Sequence, residues 1–96
     1  MSITKTNIFN FKSESDCDEY ISNHRAFFKS LKKEDGLQEI HWVRATADSL
    51  LTFTIIESEE HGTLIQNKAK EWREKNDFNI HDMLVFDGDL IDSFRT

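Results

Sequence analysis

The spacing of hydrophobic residues in the first third of the chain predicts a strand followed by an amphipathic helix. A strand is expected over Ile3–Lys12, where large apolar residues stand among polar ones and no glycine interrupts them. After a polar cluster in which Ser15 or Asp16 can cap a helix, apolar residues recur at steps of three and four. Gly36 is suited to end this helix. The apolar stripe consists of Cys17, Tyr20, Ile21, His24, Phe27, Phe28 and Leu31.

Two strands joined by a tight turn are predicted in the middle of the chain. β-Branched and aromatic residues are frequent in Leu37–Ala47 and Leu50–Glu57, and the segment between them is short. A three-residue turn over 47–49 would pair Val43 with Phe53, because turn length sets the register. One face of the hairpin then carries His41, Val43, Phe53 and Ile55, and the other carries Ile40, Trp42, Arg44, Thr52, Thr54 and Ile56.

A second helix and a last strand complete the pattern. Ser58 is expected to cap the helix, because two acidic residues follow it where the helix dipole favours negative charge. Gly62 inside the helix indicates close packing. The helix stripe consists of His61, Leu64, Ile65, Lys68, Ala69 and Trp72. The segment Phe78–Phe94 is strand-like, and the Asp87-Gly88 step within it is compatible with a hairpin, a bend or a tail that leaves the sheet.

This order of elements is that of the ferredoxin-like βαββαβ fold, an α+β fold with two helices on one face of an antiparallel sheet. A single domain over residues 1–96 is expected, because the chain is short. The second face of the sheet would expose an apolar patch with Ile40, Trp42 and Ile56, larger than water-soluble monomers normally tolerate. The sequence therefore predicts a homodimer with these three residues in its interface.

Composition and charge exclude several classes of binding partner and indicate a cellular compartment. The net charge of −6 argues against a general binder of nucleic acid, which depends on Lys and Arg. No hydrophobic run is long enough to span a membrane. The single cysteine, Cys17, excludes an intramolecular disulfide and a cysteine-based zinc site. Because the first residues lack the pattern of a signal peptide, a cytoplasmic location is expected.

A resemblance to a known family rests on the segment 55–61, of sequence IIESEEH, and on the following helix with Trp72. In these features, in length and in strand order the chain resembles the dimeric α+β barrel superfamily, and within it the antibiotic-biosynthesis-monooxygenase-like domains. The resemblance implies sheet-to-sheet homodimers with a pocket between helices and sheet in each subunit. Members include cofactor-free oxygenases, haem-degrading enzymes and proteins of no known activity, so the fold alone does not select a reaction.

The haem-degrading pattern is not met. It requires a Trp followed by an axial His on the second helix, whereas His61 precedes Trp72 in this chain. No metal-ligand spacing is found either, so neither a metal nor a cofactor is expected. A cofactor-free oxygenase would use Trp72 with an Asn or Arg to stabilise an anion, and nothing in the sequence fixes such a set.

The candidate binding residues are histidines and aromatic residues that are expected to point into the gap between helices and sheet. Imidazole groups can hold a polar ligand head, and aromatic side chains line apolar pockets. The set comprises His24, Phe28, His41, Phe53, His61 and Trp72. A protonated histidine, or Arg25 or Arg44, would meet a carboxylate.

The sequence thus predicts a homodimer that binds a small, mainly apolar organic ligand, such as a fatty-acid-like molecule or an aromatic acid. One alternative is a cofactor-independent monooxygenase-like enzyme, and another is a structural or regulatory dimer without a ligand. A filled cavity would indicate the dimer without a ligand, because the other two functions require an open cavity. No nucleic-acid or membrane partner is expected, and whether a reaction is catalysed stays open.

Overall fold

The chain forms a four-stranded antiparallel sheet and two α-helices, in a computed structural model that describes residues 2–96. The strands are β1 (Ile3–Phe11), β2 (Leu37–Thr46), β3 (Ser49–Ile56) and β4 (Ile80–Asp89), and the helices are α1 (Glu14–Lys29) and α2 (Glu59–Asn76). A short 3₁₀ helix, Lys33–Asp35, lies between α1 and β2. The strands lie in the order β2-β3-β1-β4. The predicted ferredoxin-like α+β topology is confirmed.

Helix α1 differs from the prediction at both ends. The Ser13 side chain accepts a hydrogen bond from the Asp16 backbone N–H at 3.1 Å, so Ser13 rather than Ser15 is the N-cap. At the other end the helix stops at Ser30. Gly36 instead ends the 3₁₀ helix, where its φ of +89° requires a residue without a side chain.

The β2–β3 hairpin has a shorter turn than predicted. Thr46 pairs with Ser49, so the turn has two residues rather than three. As a result Val43 lies opposite Leu51 and not opposite Phe53. The observed pairing is thus displaced by two residues relative to the predicted one. Because side chains alternate between the two faces of a strand, a displacement of two residues leaves each residue on its predicted face. The two predicted sets of face residues are therefore correct, although the predicted pairing is not.

The side of the sheet that the helices cover is the reverse of the predicted one. Ile56 has no exposed surface and forms a core with Phe28 of α1 and Ile65 of α2. Ile40 and Trp42 pack against the same core. The prediction that Ile40, Trp42 and Ile56 form a dimer interface is therefore wrong.

Two buried threonines on β3 explain this reversal. Thr52 and Thr54 lie under the helices and are 0% and 4% exposed. The Thr54 hydroxyl donates to the Lys5 carbonyl at 3.1 Å, and Thr52 Oγ1 accepts from the Asn7 side chain at 3.4 Å. Because hydrogen-bonded hydroxyls can be buried, Leu51, Phe53 and Ile55, which alternate with these threonines, are free to face away from the helices.

The other side of the sheet, called the open face below, carries an apolar patch that no helix of the described chain covers. The patch consists of Ile8, Val43, Leu51, Phe53, Ile55, Leu84 and Phe86. Val43, Leu84 and Phe86 are 48%, 51% and 57% exposed. His41 lies opposite Phe53 in this face, so the prediction that His41 and Phe53 line a pocket under the helices is wrong.

Strand β4 runs through Gly88 without forming a hairpin, because Gly88 lies opposite Thr4 of β1. The strand ends at Asp89. The following residue, Leu90, donates its backbone N–H to the Ser2 carbonyl at 3.1 Å. The Asp87-Gly88 step is therefore part of the strand, and the tail begins after Asp89, with Arg95 3.9 Å from Glu39 of β2.

Candidate functional site

A cavity of about 60 Å³ lies between the two helices and the sheet. Helix α1 contributes His24 and Phe28 to its wall, and α2 contributes residues from Ile65 to Arg73. The cavity reaches the surface at the β4 edge of the sheet, where Met83 and Val85 line it and are 41% and 43% exposed. Ferredoxin-like packing thus leaves a small space in the place where the sequence predicts a pocket.

His24 is the most deeply buried titratable group of the cavity wall and is only 2% exposed. Its Nδ1 atom accepts a hydrogen bond from Trp42 Nε1 at 2.8 Å, and its ring stacks on Phe28. Burial, with a smaller contribution from the positive charge of Arg73, lowers the pKa of His24 to about 3. The ring is therefore neutral near pH 7, and Nε2 carries its proton. His24 offers a neutral donor and not the protonated imidazole expected from the sequence.

Arg73 brings a positive charge to the same part of the cavity. It lines the cavity and is half-buried. Within residues 2–96 its guanidinium forms no ion pair, whereas Lys5, at the same cavity wall, is paired with Asp87. An arginine left without a carboxylate partner at a cavity wall is suited to hold an anion.

The hydroxyl of Tyr20 is a second polar group without a partner in this region. It is completely buried, and no hydrogen bond to it exists among the described residues. Burial raises the pKa of Tyr20 to about 12, and the positive charge of Arg73 and the approach of its guanidinium to the hydroxyl offset part of this effect. The hydroxyl is thus a protonated donor that lacks an acceptor.

The opposite part of the cavity is closed by Lys5. Its Nζ donates to Asp87 Oδ1 at 2.9 Å and to Gln66 Oε1 at 3.2 Å, which joins β1 to β4 and to α2. The Lys5 side chain is 12% exposed. Because Asp87 compensates its charge, Lys5 acts as a wall of the cavity and not as a free cation.

Of the six predicted site residues, the structure brings His24 and Phe28 to the cavity wall. His61 lies outside it: its Nδ1 is 2.7 Å from the hydroxyl of Ser58, the N-cap of α2, and its ring packs on Gly36. Trp72 also lies outside the cavity wall and stacks on Phe27 with ring centroids 4.9 Å apart.

The two arginines suggested for a carboxylate do not line the cavity. Arg25 is exposed on α1. Arg44 is paired with Asp18 and donates to the Ala47 carbonyl at 2.7 Å. Neither guanidinium is available to a ligand under the helices.

The predicted stripe of α2 is rotated relative to the buried face of the helix and therefore omits Arg73. The sequence indicates a stripe that includes Leu64, but Leu64 is 53% exposed. The buried positions are Gly62, Ile65 and Ala69. A further step of four residues from Ala69 leads to Arg73 on the same face of the helix. Gly62 indicates which face of α2 is buried, because a Cβ at this position would lie 2.6 Å from Ile3 Cδ1 of the sheet.

No group of three or more His, Cys, Asp or Glu side chains that could hold a metal ion is found in the part of the chain that the structure describes. Among the same residues, no helix is long and apolar enough to cross a membrane.

Comparisons with known proteins identify similar folds but no close relative in sequence. No protein-family model and no curated protein matches the chain. A dimeric ferredoxin-like protein from an uncultured marine organism is 10% identical, with 97% of this chain and 98% of that chain covered and a TM-score of 0.77. SnoaB, a cofactor-independent oxygenase from Streptomyces nogalater, is 9% identical, with 99% and 98% covered and a TM-score of 0.74.

A monooxygenase from the gene ActVA-Orf6 of Streptomyces coelicolor, in complex with the ligand Nanaomycin D, is also similar. It is 8% identical, with 99% of this chain and 92% of that chain covered and a TM-score of 0.71. At such identities the likeness concerns the fold and not the chemistry. The fold of this chain is thus similar to that of these ferredoxin-like proteins and oxygenases, as its sequence predicts.

Proposed function

We propose that the chain is a homodimeric protein that binds a compact organic acid in the cavity between its helices and its sheet. The observation that carries this proposal is the cavity itself, which has apolar walls and a few inward-facing polar groups. Binding sites for small molecules commonly combine these two features. Cofactor and metal play no part in the proposal.

The size of the cavity narrows the ligand class. About 60 Å³ is smaller than the roughly 150 Å³ of a cavity that holds benzene. A ligand of the size of benzoate therefore requires the exposed side chains of Met83 and Val85 to move outward at the β4 edge. A long aliphatic chain needs much more space, so an aromatic acid fits better than a fatty-acid-like molecule.

The open face supports the dimer. Its apolar patch crosses all the strands of the sheet, with Val43 on β2, Leu51 on β3 and Leu84 on β4. A second copy would cover this patch, and interfaces of this kind resemble a divided core. The dimeric state of the ferredoxin-like protein with a TM-score of 0.77 agrees with this assembly. The predicted interface residues are thus replaced by those of the open face.

A cofactor-independent monooxygenase-like enzyme is the second candidate, favoured by the likeness to SnoaB. It would use the same cavity, and the ligand would be its substrate. Oxygen uptake upon addition of an aromatic acid or phenol to the purified protein distinguishes an enzyme from a binding protein.

The proposal is tested by filling the cavity. Ala69 lines the cavity and is 6% exposed, so Ala69→Leu places a larger apolar side chain in the space. The matched control is Ala26→Leu, at an exposed position of α1. We expect saturable binding of benzoate to the unchanged protein in isothermal titration calorimetry, unchanged binding to Ala26→Leu and at least tenfold weaker binding to Ala69→Leu. Absence of binding to the unchanged protein, or equal binding to both variants, would overturn the proposal.

A further inference from the structure

We infer that Arg73 is the counterion of the bound ligand, so that the cavity selects a monoanionic carboxylate and orients its acid group toward α2. This inference rests on the proposed binding function and deepens it. It assigns a role to a residue that the sequence pattern did not reveal. The ligand class that follows is a compact aromatic carboxylate and not a neutral aromatic molecule.

The first argument is the charge of the cavity wall. The protein has a net charge of −6, yet the described residues that line the cavity include two cations, Lys5 and Arg73, and no Asp or Glu. The charge of Lys5 is compensated by Asp87 at 2.9 Å. The charge of Arg73 has no such compensation in residues 2–96. An acidic protein therefore presents one uncompensated positive charge to its cavity, which favours an anion.

The second argument is the hydrogen-bonding capacity around Arg73. At the cavity wall, the guanidinium of Arg73 and Nε2 of neutral His24 are donors. Nδ1 of His24 is already used by Trp42, so the ring has no acceptor left for a ligand. Carboxylate oxygens are acceptors only, and they therefore complement this set of donors better than an alcohol or an amine does.

The third argument is the distribution of apolar surface, which sets the orientation of the ligand. Phe28, Ile56 and Ile65 form a buried cluster at the cavity wall. Along α2, Ile65 lies two helical turns before Arg73. The aromatic ring of a ligand would contact this cluster while its carboxylate reaches the guanidinium.

The experiment compares benzoate with benzamide, which has almost the same shape but no charge. Isothermal titration is performed with the unchanged protein, with Arg73→Gln and with Arg25→Gln, which removes an exposed arginine of α1. We expect the unchanged protein to prefer benzoate over benzamide by about tenfold or more, as for charge-assisted hydrogen bonds. Arg73→Gln should lose this preference by weakening benzoate binding only, and Arg25→Gln should keep it.

The outcomes separate the inference from the proposed function. If the unchanged protein binds both compounds equally and Arg73→Gln changes neither affinity, the inference is wrong and the proposed function stands. If neither compound binds to the unchanged protein, both are wrong. Arg73→Lys keeps the positive charge and should retain part of the preference for benzoate, which provides the test if Arg73→Gln does not fold. If a folded Arg73→Lys variant binds benzoate only as weakly as benzamide, a role of Arg73 based on its charge is also contradicted.

Discussion

Replacing His24 with Gln should weaken the dependence of stability on pH between pH 7 and pH 5. The pKa of His24 is lowered by burial from its ordinary value of 6.5 to about 3 in the folded chain. Between these values the unfolded chain binds a proton at this site and the folded chain does not. Stability therefore falls as the pH falls below 6.5, and the loss continues until the pH approaches 3.

The magnitude follows from the two pKa values. At pH 5 the unfolded chain is almost fully protonated at this site, whereas at pH 7 it is largely neutral. The difference lowers the free energy of unfolding by about 2 kcal/mol from pH 7 to pH 5. In His24→Gln this contribution is absent, although the Gln amide oxygen can still accept the hydrogen bond from Trp42.

Urea unfolding followed by tryptophan fluorescence measures this effect at pH 7, 6 and 5. Protein concentration must be constant, because the stability of the proposed dimer would depend on it. The control is His81→Gln, which removes an exposed histidine of β4 and should show the same pH dependence as the unchanged protein. If His24→Gln loses as much stability between pH 7 and pH 5 as the unchanged protein does, the burial of a neutral His24 is refuted.

Two further variants test the open face and the buried hydroxyl. Phe86→Asp should give monomers in analytical ultracentrifugation, because it places a charge in the apolar patch of the open face. The control Leu64→Asp, at a similarly exposed position of α2, should leave the proposed dimer unchanged. A Phe86→Asp variant that still forms dimers would contradict the proposed assembly. Tyr20→Phe should raise the free energy of unfolding of the ligand-free protein by about 1 kcal/mol, because it removes a buried donor without a partner.

The elements could be predicted from sequence because their signals are local. The stripe of α1 contains the buried residues Cys17, Tyr20, His24 and Phe28. Its spacing reflects the helix period alone. His24 and Phe28 could therefore be assigned to the gap between helices and sheet without knowledge of any partner element.

The direction in which the sheet faces could not be predicted, because alternation defines two sets of residues but not which set meets the helices. The set of β3 that contains Phe53 and Ile55 is the more apolar one and therefore favours a core, whereas Thr52 and Thr54 lie in the buried set. Their burial depends on hydrogen bonds to Asn7 and Lys5 on another strand. Such long-range pairing is not visible in the local pattern, so His41 and Phe53 were placed on the wrong side.

The most direct test of the account is the location of bound benzoate by NMR. Intermolecular nuclear Overhauser effects report which side of the sheet the ligand contacts. We expect contacts from the ring protons of benzoate to the Ala69 methyl group and to the side chains of Ile65 and Phe28, which lie at the cavity wall. Contacts to Val43 or Leu84 on the open face instead would contradict the account.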